Sequence, residues 1–212
     1  MTNPQKERYE KLGASVVKAL KERHFEACYC ADRESALAQL LAWIPQEDTV
    51  AWGGSQTLSE IGAQEQLRAR GQKLIDRDTV RTPEERNAMM RAALTSDTFL
   101  MSSNAITEDG QLVNMDGNGN RVAALIYGPK SVIVVAGLNK VAKDLDAAIA
   151  RVRGTAAPTN AQRFPIKTPC KVTGTCADCK SPDCICANMA ITRICKPAGK
   201  IKVILIGETL GM

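Results

Sequence analysis

SVIVVA, residues 131–136, is followed at once by GLNK, residues 137–140. Six apolar or small residues rich in β-branched side chains, with no polar alternation, describe a strand covered on both faces. Such strands belong to the interior of a parallel sheet. Working outward, Thr98–Met101 and Thr49–Trp52 have the same short apolar character, and Phe25–Cys30 and Lys73–Ile75 fit as further strands. Between them lie stretches with helical spacing: residues 5–22, Glu34–Trp43, Thr57–Arg70 closing at Gly71, a helix opening at Pro83, and 141–153. Alternating strands and helices of these lengths predict an α/β fold, a mostly parallel sheet sandwiched by helices. Ala105–Thr107 and Gln111–Asn114 flank EDG as a hairpin, DGNGNR (116–121) reads as a loop, and Ile201–Ile206 is a last strand that rejoins the sheet.

With 212 residues, 44% of them hydrophobic, the chain can bury a core without disulfides, so residues 1–212 are expected to form a single α/β domain. The charged, amphipathic N-terminus is unlike a signal peptide, and no run of 18 apolar residues occurs. A cytoplasmic protein without a membrane partner is therefore expected. Residues 1–150 carry a net charge of −2 and residues 151–212 one of +7. Six of the eight cysteines share that basic third, so the Lys and Arg there are read as countercharge to thiolates rather than as a nucleic-acid surface.

Three stretches can carry chemistry. At the strand-to-helix junction GGSQT, Gly53 and Gly54 allow close approach of a ligand, and Ser55 and Thr57 add donors suited to an anion. The same residues also make an ordinary capped turn. Neither the P-loop nor the dinucleotide-binding glycine pattern is present. In residues 102–140, Asn104, Asp116, Asn120, Arg121, Asn139 and Lys140 fall on loops at strand ends, where open α/β sheets bind ligands. Asp116 is the candidate acid or base, with Arg121 and Lys140 as anion partners. The third stretch, TPCKVTGTCADCKSPDCICANMAITRIC, spaces its thiols C-x5-C-x2-C-x4-C-x-C-x8-C within a cysteine-rich insertion at about 165–197. Such density in a cytoplasmic chain points to zinc or an iron–sulfur cluster rather than disulfides. Cys28 and Cys30 alternate on the first strand and are read as small core residues.

GGSQTLSEIG, SSNAITEDGQLVNMDGNGNRVAA, GPKSVIVVAGLNK and GKIKVILIGETLGM together resemble the LUD-domain family, which includes lactate-utilisation proteins. The resemblance spans roughly residues 5–212. It implies a fold similar to the ribose-phosphate isomerase and CoA-transferase group, with a cysteine-rich flap near its C-terminus. It also implies a small anionic or phosphorylated ligand and possible iron–sulfur partner subunits in lactate-type organic-acid metabolism. Related tails carry a pattern like C-x5-C-x2-C-x6-C, which assigns Cys170, Cys176, Cys179 and Cys186 to the metal and favours a [4Fe-4S] cluster over zinc. Cys184 and Cys195 depart from that pattern. The alternative is a non-catalytic ligand-binding or regulatory module built around a structural zinc.

Overall fold

The computed structural model describes residues 4–212. In chain order the elements are α1 (Pro4–Glu22), β1 (Glu26–Cys30), α2 (Arg33–Ala42), β2 (Thr49–Trp52), α3 (Gln56–Glu60), α4 (Ala63–Ala69) and β3 (Lys73–Ile75). They continue with α5 (Pro83–Ala92), β4 (Thr98–Met101), β5 (Ala105–Thr107), β6 (Leu112–Asp116), α6 (Asn120–Ile126) and β7 (Ser131–Gly137). The last are β8 (Val141–Ala142), α7 (Leu145–Arg151), α8 (Ala157–Ala161), α9 (Pro169–Thr173), β9 (Asn188–Thr192) and β10 (Ile201–Ile206). Among the described residues, no helix is long and apolar enough to cross a membrane.

Six strands form one sheet in the order β1-β10-β7-β4-β2-β3, every neighbouring pair parallel. The expected α/β class is observed, with β7 and β10 at its centre. Residues 132–136 of β7 are all buried, and their period of two divides them between layers. Val132, Val134 and Ala136 face Val16 and Leu20 of α1 and Leu125 of α6. Ile133 and Val135 face Leu40 of α2, Leu58 of α3 and Leu67 of α4. Cys28 and Cys30 both turn toward this second layer, in the role of small core residues.

A second sheet, β8-β5-β6-β9, lies beyond the α1 face, where Ile106 and Leu112 join the first core. Its other side packs Ala105 and Val113 on Ala148 and Val152. The hairpin joining β5 and β6 turns at Gly110, whose φ of +85° and 2.8 Å clearance from the Ala19 backbone exclude any side chain.

Three local expectations are corrected, and the cysteine-rich stretch gains internal structure. The helix expected over Thr57–Arg70 is two, because Gly62 adopts a left-handed φ of +71° between α3 and α4. The helix expected from 141 begins at Leu145, capped by Asp144, after the short strand β8. It runs on through a π turn, Val152–Ala156, into α8. Within DGNGNR, Asp116 ends β6 and Asn120 and Arg121 already belong to α6. The cysteine-rich stretch contains α9 and β9, the latter pairing antiparallel with β6.

Candidate functional site

β2 ends at Trp52, and the Gly53 N–H crosses to the Leu100 carbonyl at 3.0 Å. A Cβ on Gly53 would stand 3.1 Å from Arg121 Cδ, so the missing side chain is the space through which Arg121 passes. Gly54 is exposed, while Ser55 caps α3 by accepting from Leu58 N–H at 3.2 Å. Thr57 is buried, and its hydroxyl accepts from Lys140 Nζ at 2.8 Å.

Arg121 is engaged entirely by protein oxygens. Its guanidinium donates to Ser102 O at 3.1 Å, Asn114 Oδ1 at 2.6 Å, Asn104 Oδ1 at 2.9 Å and Met115 O at 2.7 Å. Burial lowers its pKa and nearby Asp116 opposes that shift. Asp116 Oδ2 accepts the backbone N–H groups of Arg121 and Val122 at 2.9 and 3.1 Å, satisfying the start of α6. The pair therefore fixes the 116–121 turn against β6 and the Ser102–Asn104 segment. Asn120 lies partly exposed in the first turn of α6.

Lys140 is 4% exposed, and its Nζ also donates to Ser102 Oγ at 2.9 Å. Among the described residues it forms no ion pair. Burial, reinforced by the Arg151 and Arg121 charges and opposed by Glu60, pushes its pKa down to about 7. Residues 207–212 lie over it: a Cβ on Gly211 would be 3.0 Å from Lys140 Nζ, and Gly211 N–H donates to Glu60 Oε2 at 2.7 Å. Asn139 is turned to the same segment, accepting from Leu210 N–H at 3.1 Å, and Glu208 pairs with Arg33 at 2.6 Å. Of the expected anion-site residues, the fold brings together Gly53 with Arg121, Thr57 with Lys140, and Asn104 with Arg121. Asn139 faces the C-terminal segment instead. Ser102 and Arg151, which donates to Asn104 O at 2.6 Å and Asn139 O at 3.2 Å, were not singled out in the sequence. No spacing rule marks them, since three separate segments meet there.

The cysteine segment leans on the same turn. β9 runs beside β6 with Asn188 opposite Asp116, and Asn188 Nδ2 donates to Gly117 O at 3.3 Å. A Cβ on Gly117 would lie 3.2 Å from the Cα of Ile185, the residue between Cys184 and Cys186. All eight cysteines are free. The Cys186 thiol is pushed up to about 12 by burial, then by Cys184, Cys170 and Cys176. Thr168 Oγ1 lies 3.3 Å from Cys170 Sγ, Cys186 N–H donates to Cys184 Sγ at 3.3 Å, and Cys176 is exposed. Among the described residues, no three His, Cys, Asp or Glu side chains converge closely enough to hold one metal ion. Cys195 stands apart: fully buried, it accepts from Ile201 N–H at 3.2 Å and packs in the first core.

Comparison with known proteins agrees with this architecture. A family model described as LUD domain matches residues 14–206. A solved structure of a DUF162 family protein from Deinococcus radiodurans superposes with a TM-score of 0.53. It covers 93% of this chain and 98% of its own at 11% identity, a likeness of fold. Curated proteins yield no match. With the family match running through both sheets and the cysteine segment, the chain belongs to the LUD domain family.

Proposed function

We propose that the protein serves lactate-type organic-acid metabolism, binding a small anionic ligand beside the 116–121 turn and an iron–sulfur cluster on the cysteine segment. The observation that supports this reading is the packing of Gly117 against the backbone of Ile185, the residue between Cys184 and Cys186. The donors fit a cluster in kind: five uncrosslinked thiols lie within residues 170–186, and three of them influence Cys186. Cys170, Cys176, Cys179 and Cys186 would hold it. A bound cluster would supply one-electron transfer.

The remaining chemistry falls to side chains in place. Lys140, its pKa lowered to about 7 by burial, is assigned proton exchange with a hydroxy or keto acid, and partly exposed Ser102 holds its Nζ. Arg121 and Asp116 act by holding the turn in position rather than by touching substrate. Gly54, Ser55 and Asn120 flank the turn on its exposed side, and Gly53 gives Arg121 its passage.

The test is anaerobic purification followed by iron, zinc and acid-labile sulfide analysis of wild type and of Cys176→Ala and Cys186→Ala. Iron and sulfide that disappear in both variants are the expected result. Zinc without sulfide would replace this reading with a non-catalytic module carrying a structural metal.

A further inference from the structure

The two sheets end in four edge strands, β1 and β3 on one, β8 and β9 on the other. An edge presents unpaired N–H and C=O groups that accept another strand unless shortness, charge or proline guards it. β8 has two residues, and β3 has three, one of them exposed Lys73. β1 has five but opens with Glu26, which pairs with Lys202 at 3.4 Å. β9 also has five, NMAIT, with neither a charge nor a proline. Among the described residues, the backbone of 188–192 makes no hydrogen bond to other backbone groups beyond its pairing with β6.

Directly opposed residues of an antiparallel pair share a face, so Met189 lies on the face of Met115 and Ile191 on that of Val113. Val113 belongs to the small core beneath α7, and Met115 packs against it. Met189 and Ile191 carry that apolar face one strand further, where they are 40% and 43% exposed. Two large apolar side chains together on an unguarded edge mark an interface rather than scattered exposure. The strand is also its own complement. A twofold axis through Ala190 sets antiparallel β9 strands with Ala190 on Ala190, Met189 on Ile191 and Asn188 on Thr192. Apolar residues then meet apolar ones, polar meet polar, and no like charges are opposed. The nearest charge before the strand is Asp183 and the nearest after it is Arg193, both exposed. Antiparallel pairing brings the basic flank of each copy toward the acidic flank of the other and keeps the two Arg193 side chains at opposite ends.

We propose that β9 is a dimerisation edge, at which two copies of this chain pair antiparallel about Ala190 and join their four-stranded sheets into one. The twofold operation uses each edge once and closes on itself, so it yields a dimer and not a filament. It is independent of the ligand and metal assigned above. It does place Ala187, the neighbour of Cys186, opposite Arg193 of the second copy.

Sedimentation velocity of the full chain, purified anaerobically and kept reduced, tests it across a wide concentration range. Wild type should pass from monomer to dimer as concentration rises. Met189→Glu and Ile191→Lys should each weaken the dimer about tenfold or more, since the symmetry sets two charges against apolar partners. An equimolar mixture of the two variants should regain the dimer. In a mixed pair the new carboxylate faces the new ammonium at one crossing, and Met189 still faces Ile191 at the other. That rescue is specific to the register centred on Ala190. Amide exchange gives a second measurement that needs wild type alone: residues 188–192 should become more protected as concentration rises. The proposal is overturned if wild type stays monomeric at every concentration, if it associates without limit, or if residues 188–192 gain no protection on dimerisation. A dimer unchanged in both variants, or weakened in both and not restored on mixing, overturns it equally.

Discussion

Lys140 pays an ionisation cost that depends on pH. Its folded pKa of about 7 lies below the ordinary lysine value of 10.5, so the unfolded chain holds that proton more tightly. Its contribution to stability is therefore intact above pH 10.5 and is lost as pH falls toward 7, by about 1.4 kcal/mol for each pH unit at most. Lys140→Met should melt higher than wild type at neutral pH, with the gap narrowing as pH rises toward 10.5. A pH-independent gap in paired thermal melts would refute the assigned shift. Cys195 offers a contrasting test. Cys195→Ala should cost about 1–3 kcal/mol in denaturant unfolding, because it removes packed volume and leaves Ile201 N–H without its core acceptor, whereas exposed Cys176→Ser in the metal-free chain should cost almost nothing. From spacing alone the two look alike, since both belong to one run of thiols. Only the packing of the chain around Ile201 separates the core cysteine from the flap.

The helices show which local rules are legible and which are not. α5 starts with a complete capping box, Thr82 accepting from Glu85 N–H at 3.2 Å and Glu85 reaching back to Thr82 N–H at 3.2 Å, with Pro83 at the first helical position. Those signals place the start of the helix from sequence. With no buried residue, α5 depends on that cap more than on tertiary contacts. Thr82→Ala should fray α5 by about 1 kcal/mol, seen as faster amide exchange confined to residues 83–92, with little change in global melting. Elements that the sequence hides owe their form to tertiary pairing. β9 follows a cysteine-rich loop and becomes a strand by lying on β6, and α6, only seven residues long, is secured by the Asp116 carboxylate. The π turn at Val152–Ala156 falls just ahead of Pro158, which has no N–H to give, so one helical path continues where a break could be expected.

At the scale of the molecule, the apolar runs at 131–136 and 201–206 identified the sheet because both faces of β7 and β10 are buried, leaving little ambiguity of layer. Strand order could not be read this way, since apolar content does not say which neighbour a buried strand takes. The site was legible as a set of loops, but the sequence did not reveal that Arg121 is consumed by carbonyls or that residues 207–212 cover Lys140. Native-state hydrogen exchange should show β7 and β10 opening only with global unfolding and α5 opening far more readily; equal protection across these elements would contradict the packing described. The position of β10 also bears on biosynthesis. It inserts between β1 and β7, so β1, made within the first 30 residues, has no sheet partner until residues 201–206 emerge. At ribosomal speeds of about 5–20 residues per second that wait is on the order of ten seconds or more, during which the amphipathic N-terminal helix and an unpaired strand are exposed on the nascent chain. Closure of the sheet therefore waits on the last strand in chain order, and the first strand is its late beneficiary.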